Sequence, residues 1–364
     1  MRFREVRVRD FRNFPHLEVG FPDGAQFICG ANGQGKTNLL EALGLVTSLR
    51  SFRTTEIPAL IRWEARPRET TLVYEMHHDQ MGETTLELVL KPGSKQVLMD
   101  GEPVRRMGDI LGRFPTITFS SHDIQILRGA PSLRRRLMDM MFVVMDPGYF
   151  DHLTRYFKSL KSRNALLKQR APASQRAPFE ELVIRSGWEL YRQRGQLLNE
   201  FRPHFQTAYA GISGVEEQPD LFYEASLEAS CEEGYKEQFF SILQRDVDTG
   251  TSNRGPHRDD LKITLQGHTA KEFASEGQQR GLVLALRMGL VDWYRKRGGT
   301  RPVILADDIV GELDATRRKG FWRMLGSESQ LIATGTHFPR EDEFHSWTHW
   351  KMDDARVYRE ERDA

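Results

Sequence analysis

The sequence predicts an α/β fold whose two halves are separated by a mostly helical insert. Three observations predict it. A glycine-rich loop at residues 30–37 (GANGQGKT) stands between a short apolar strand and a helix. An apolar stretch at 303–306 runs straight into Asp307-Asp308. The apolar period is strand-like at first, turns helical near residue 120, and returns to an alternating strand and helix pattern after residue 260.

The opening third is strand-rich. Residues 2–9 alternate charged and apolar side chains, with Phe3, Val6 and Val8 apolar, and predict a strand. Residues 10–15 read as a loop and 17–21 as a second strand, ended by Pro22-Asp23-Gly24. Gln26-Phe27-Ile28-Cys29 is the strand that feeds the loop, and residues 36–49 the helix that leaves it. Residues 72–76 and 84–90 read as further strands, and 96–99 meets Asp100-Gly101, a strong hairpin pair.

The loop between them fits the pattern Gly, four residues, Gly-Lys-Thr. Gly30, Gly33 and Gly35 let the backbone turn tightly and approach a phosphate with no side chain in the way. The N–H groups of such a loop form an anion-binding concavity. Lys36 reaches the β- and γ-phosphates, the Thr37 hydroxyl is a ligand for Mg²⁺, and the following helix points its positive dipole end at the same place. The implied ligand is a nucleoside triphosphate.

From residue 131 to about 240 the period is mostly helical, broken by a predicted loop at 171–178 (APASQRAP), and no sustained heptad run suggests a coiled coil. Formal net charge is only +1, but residues 128–176 hold eleven basic side chains against Asp139, Asp146 and Asp151. Such an excess is a footprint for a polyanion, or a helical surface neutralised by acids elsewhere in the fold. No apolar run is long enough to cross a membrane, and the first residues show no signal-peptide core. Two cysteines, Cys29 and Cys231, argue against a disulfide or zinc framework and fit a cytoplasmic location.

After residue 260 strands are expected at 261–265, 303–306, 331–333 and 347–351, with a long helix at 276–294. Segments 1–120 and 241–364 would then form one split head, and 121–240 an inserted helical arm. Asp307, at the C-terminal end of a buried strand, is placed to hold Mg²⁺, and Asp308, pointing elsewhere, to polarise the attacking water. Ser275-Glu276-Gly277-Gln278-Gln279 opens the long helix and offers a second phosphate-binding helix end. One subunit can hardly use both ends on one γ-phosphate, whereas a two-fold dimer in which each signature completes the partner's site can.

The Ser-x-Gly-Gln-Gln stretch ahead of the apolar-Asp-Asp strand resembles ABC-type ATPases, in the branch of the SMC heads. Residues 10–14 (DFRNF), 30–41 (GANGQGKTNLLE), 129–136 (GAPSLRRR), 163–168 (RNALLK) and 255–260 (GPHRDD) resemble the RecF family over essentially the whole chain. The resemblance implies an ABC-type head in which ATP contacts Gly30, Asn32, Gly33, Gly35, Lys36, Thr37 and Asn38, with Arg12 and Asn13 toward the base or ribose. Mg²⁺ would lie on Thr37 and Asp307, with Lys36 and Asp308 catalytic. Ser275, Gly277 and Gln278 would act in trans. Residues 311–314, ending in Asp314, would form the D-loop that communicates between sites, Gly311 standing where the family usually has Ser. His337 falls where many ABC proteins carry a switch histidine, and His257 and Arg258 read either as structural or as a link from arm to ATP site. Arg134, Arg135, Lys158 and Lys161 are the candidate contacts for duplex DNA. The implied activity is a weak, DNA-stimulated ATPase of recombinational repair and replication, forming an ATP-dependent homodimer and working with RecR and RecO. The residues alone leave open a transporter-type ATPase on a membrane partner, an SMC-like clamp, and a P-loop nuclease. The clamp would need a long heptad arm and the nuclease an appended acidic domain, and neither is found.

Overall fold

The alternation that opens the chain forms a strand, β1 (Arg2–Phe11), which is paired on both sides in an antiparallel sheet. A computed structural model describes residues 1–297, 299–309, 315–326, 329–339 and 347–360. The chain divides into two compact units: residues 1–124, 204–216 and 276–364 form the first, and 125–203 with 217–275 the second.

The first unit holds two six-stranded sheets. The antiparallel one contains β1, β2 (Phe14–Gly20), β4 (Thr70–His78), β5 (Gly82–Lys91), β6 (Ser94–Met99) and β7 (Glu102–Pro103), in the order β2-β1-β4-β5-β6-β7. Its alternation buries Phe3, Val6 and Val8 of β1, Leu72 and Tyr74 of β4, and Leu86 and Leu88 of β5. These join one core with Leu39, Leu40, Leu43 and Val46 of helix α1 (Lys36–Ser48). The buried Tyr74 hydroxyl donates to the Ala42 carbonyl at 2.7 Å, tying sheet to helix. The expected loop at 10–15 is shorter than the sequence suggests, because the strands continue to Phe11 and restart at Phe14. A tight turn remains, with Arg12 at φ +52°.

The second sheet contains β3 (Ala25–Cys29), β8 (Thr116–Ser120), β12 (Val303–Asp307), β13 (Leu331–Gly335), β14 (Trp347–Asp353) and β15 (Arg356–Arg359), ordered β15-β14-β3-β13-β12-β8. All neighbours are parallel except the β14–β15 hairpin. Strands buried on both faces read as apolar runs, and VILAD and LIATG are buried at every position. Helices α9 (Glu276–Arg297) and α10 (Ala315–Leu325) belong to this unit.

The second unit contains α2 (Ile124–Arg128) from Gln125 on, α3 (Pro131–Met145), α4 (Pro147–Lys168) and α5 (Ala173–Ser213) up to Pro203. It also holds β9 (Pro219–Glu224), α6 (Glu232–Ser241), α7 (Leu243–Thr249), β10 (Asp260–Leu265), β11 (His268–Thr269) and α8 (Ala270–Phe273), with sheet order β11-β10-β9. The strand expected at 261–265 is present as β10, pairing with β9 inside this unit. The expected loop at 171–178 is mostly helix. Pro178 is the sixth residue of α5, one turn in, and removes one backbone bond there. Arg176 anchors that start, donating to the Ala171 carbonyl at 2.8 Å and pairing with Glu180 at 3.3 Å. Among the described residues no helix is long and apolar enough to cross a membrane.

Candidate active site

Parallel pairing brings the chemistry together. Strand β13 lies between β3 and β12, so the end of β3, which enters the glycine-rich loop, and the end of β12, which carries Asp307, meet at one edge of the sheet. Across that edge Asp307 registers with Thr334, Gly335 with Cys29, and Asp307 with Ser120.

In the loop, Gly33 and Gly35 take φ of +85° and +112°. A Cβ on Gly35 would also strike the Asn13 side chain at 2.7 Å. The Lys36 ammonium, mostly buried, donates to the carbonyls of Gly30 at 2.6 Å and Ala31 at 3.0 Å, which holds it across the loop. Asn32 is exposed beside it.

Thr37 Oγ1 donates to Asp307 Oδ1 at 2.9 Å, and Thr334 Oγ1 donates to the same oxygen at 3.0 Å. Asp307 is 7% exposed, and burial pushes its carboxyl above the usual range, opposed by these two hydroxyls. Asp308 turns away. It is exposed, takes the left-handed backbone at φ +55°, and its N–H donates to Thr334 Oγ1 at 3.2 Å. The two acids therefore occupy different environments, one buried and one exposed.

A hydrogen-bonded frame surrounds the loop. Asn38 donates to Asn13 Oδ1 at 2.8 Å, and Asn13 donates to the Gln34 carbonyl at 3.2 Å. Arg12, expected near the base or ribose, instead grips both oxygens of the fully buried Glu41 at 2.8 and 2.7 Å and donates to the Ala59 carbonyl. Arg53 donates to Glu41 at 3.1 Å and to Asn38 at 2.7 Å. Sequence reasoning missed Glu41, Arg53 and Thr334. Glu41 did carry a signal: a lone acid in the apolar run LLEALGLV must find a cationic partner if the helix is buried.

Ser275 is exposed and Gly277 lies in the first turn of α9. A Cβ at Gly277 would stand 3.0 Å from the Arg317 guanidinium, so glycine leaves room for that side chain. Gln278 follows, half-buried. The D-loop, Asp314 included, lies outside the described residues. His337 is exposed, its Nδ1 3.0 Å from Thr336 Oγ1.

In the second unit the expected DNA contacts separate by burial. Arg134 is 9% exposed, forms a two-point ion pair with Asp260 at 2.7 and 2.8 Å, and donates to the Gly129 carbonyl. Its charge is neutralised inside the unit, which corrects its expected place at DNA. Arg135 donates to the Asp259 carbonyl at 2.7 Å, and burial lowers its pKa. Lys158 and Lys161 stand exposed on α4, beside Arg155. Arg163 and Arg176 of the same basic stretch are buried, so the linear charge count overstates the free charge.

In the GPHRDD stretch, Asp259 and His257 are held by hydrogen bonds inside the second unit, and Arg258 is exposed. Asp259 accepts from Arg194 Nη1 at 3.3 Å, from the Tyr223 hydroxyl and from the Ser226 N–H. His257 lies between the Tyr156 hydroxyl at 2.7 Å and the Ser252 carbonyl at 3.0 Å.

Fold and site define an ABC-type P-loop ATPase head. The RecF/RecN/SMC N terminal domain family matches residues 2–342. The DNA replication and repair protein RecF of Leptospira interrogans is 32% identical over 340 residues, 92% of each chain. That of Anaeromyxobacter is 33% identical over 327 residues, 88% of each. The chain belongs to the RecF family. A solved structure of the recombination mediator protein RecF with ATP, of the RecFOR pathway, is 29% identical with a TM-score of 0.89, over 98% of this chain and 99% of that one. An SMC head bound to the C-winged helix domain of ScpA, 15% identical at a TM-score of 0.56 over 98% and 97% of the two chains, shares the fold.

Proposed function

We propose that this chain is an ATP-dependent DNA-binding protein of recombinational repair and replication. ATP closes a homodimer on duplex DNA near single-strand gaps, and slow, DNA-stimulated hydrolysis reopens it. The observation that carries the reading is the Thr37–Asp307–Thr334 cluster beneath the Lys36 loop in a chain of the RecF family.

The loop N–H groups and Lys36 receive the triphosphate, the ammonium exchanging the Gly30 and Ala31 carbonyls for phosphate oxygens. The site fits Mg²⁺: Thr37 and Asp307 supply hard oxygen ligands, and a buried carboxylate gains from a cation. When bound, Mg²⁺ would neutralise developing charge on the β- and γ-oxygens. Exposed Asp308 polarises water. Ser275, Gly277 and Gln278 contact the partner's ATP, Asp314 belongs to the loop that couples the two sites, and Lys158 and Lys161 contact DNA phosphates without sequence readout. RecR and RecO are the protein partners, the setting is cytoplasmic, and the product of the cycle is recombinase loading.

The test is duplex DNA binding and sedimentation with and without ATP–Mg²⁺. Wild type is expected to dimerise and bind DNA only with ATP. Lys36→Arg, which loses the compact ammonium, and Ser275→Arg are expected to do neither. DNA binding indifferent to ATP, with no dimer, overturns the reading.

A further inference from the structure

Strand β14 runs parallel beside β3, with Lys351 opposite Cys29. The turn after β14 therefore extends beyond the end of β3, alongside the glycine-rich loop. Two contacts join them. The Asp354 N–H donates to Gln34 Oε1 at 2.6 Å. Gly30 lies so close to Met352 that a Cβ would stand 2.4 Å from its carbonyl oxygen.

The turn is held in an uncommon backbone. Asp354 and Ala355 take φ of +43° and +59°, where two-residue hairpins normally place Asn-Gly. Ala355 has no polar side chain to stabilise that conformation. Such backbone persists where its surroundings over-determine it, and it clusters at ligand sites.

We propose that the β14–β15 turn positions the phosphate loop, acting through Gln34. This rests on the nucleotide reading above. Gln34 sits between Gly33 and Gly35, both at positive φ and both intrinsically free to move. Its carbonyl is held by Asn13 at 3.2 Å and its side chain by the Asp354 N–H. With both ends of the residue fixed, the loop N–H groups are aimed before phosphate arrives, so less ordering accompanies binding. Asp307 ends another strand, β12, and Asp308 follows it. The effect therefore belongs to nucleotide affinity and not to turnover.

The test measures ATP–Mg²⁺ affinity and steady-state hydrolysis for four proteins. These are wild type, Gln34→Leu, a variant with one glycine inserted between Asp353 and Asp354, and the combination. Each single change is expected to raise Kd and KM about tenfold, the scale of one hydrogen bond, with kcat within about twofold and Tm unchanged. The combination is expected to lose about tenfold and not about a hundredfold, because both changes remove one interaction. Affinities within about twofold of wild type, multiplicative losses, or a fall in kcat at unchanged KM overturn the proposal. If Gln34→Leu does not fold, the inserted-glycine variant alone decides by its KM. A wild type that binds no ATP overturns the nucleotide reading itself, a distinct outcome.

Discussion

Thr37 and Asp307 are 270 residues apart in the chain, yet the threonine hydroxyl donates to the aspartate at 2.9 Å. The pair exists because β13 holds β3 and β12 at one spacing along the parallel sheet. It places a hydroxyl and a carboxylate, both hard oxygen donors, at the mouth of the phosphate loop. The carboxylate is buried there, and burial raises its pKa.

A raised carboxyl pKa has a defined sign. The folded state binds the Asp307 proton more tightly than the unfolded chain, so stability falls as pH rises from the usual carboxylate range through the folded value. At neutral pH the charged side chain therefore opposes folding. Asp307→Asn is expected to stabilise the metal-free protein by about 0.5–2 kcal/mol and to abolish hydrolysis and any Mg²⁺-dependent gain in ATP-induced stability. Thermal unfolding at pH 7, with and without ATP–Mg²⁺, checks this. A variant less stable than wild type would sink it.

Arg163 is 0% exposed and bonds Asp246, itself fully buried, at 2.8 Å, with its guanidinium 4.6 Å from the Phe239 ring centroid. Removing the cation leaves Asp246 charged and fully buried, with Asn253 still bonding its other oxygen. Arg163→Met is expected to cost about 3–5 kcal/mol. The measurement is the urea midpoint of unfolding at unchanged slope. A midpoint equal to wild type would show that the pair contributes nothing.

Much of this was legible in the sequence, for reasons that also explain what was not. The strands around the loop carry period-two or continuous apolar runs, and VILADD announces a buried strand ending in acids whatever surrounds it. Their partners leave weaker traces. Thr334 is one hydroxyl in an apolar strand, and Arg53 sits in an ordinary loop. Both gain meaning only from sheet order and helix packing. The basic stretch at 128–176 misled for the opposite reason. The acids that neutralise Arg134, Arg163 and Arg176 are Asp260, Asp246 and Glu180, outside the stretch in sequence and adjacent in space. Asp314 is legible in sequence and lies outside the described residues.

His257 gives a pH dependence of opposite sign. Burial lowers its pKa from 6.5; Arg258 and Arg135 act in the same direction, while the Ser252 carbonyl and Asp259 oppose. The neutral ring accepts from the Tyr156 hydroxyl and donates to Ser252. The unfolded chain then binds the proton more readily, so this contribution is present above pH 6.5 and is lost as pH falls below it. His78, also lowered by burial, adds the same sign. His257→Gln is expected to flatten part of the decline in Tm between about pH 7 and 5. An unchanged decline would remove His257 as a contributor.

Lys158 and Lys161 differ from Arg134 in one respect that an experiment can read. The lysines are exposed on α4, whereas Arg134 is locked to Asp260 and to backbone carbonyls. A side chain that neutralises a DNA phosphate releases counterions, so its loss weakens binding on every sequence and lowers the slope of log affinity against log salt by about 0.9 per contact. Lys158→Ala and Lys161→Ala are each expected to lower that slope by about one without changing stability. Arg134→Ala is expected to leave the slope intact and to destabilise the fold, since Asp260 loses its partner. Duplex binding over a salt series, paired with thermal unfolding, separates the two roles. If the lysine variants keep the wild-type slope, Lys158 and Lys161 are not DNA contacts.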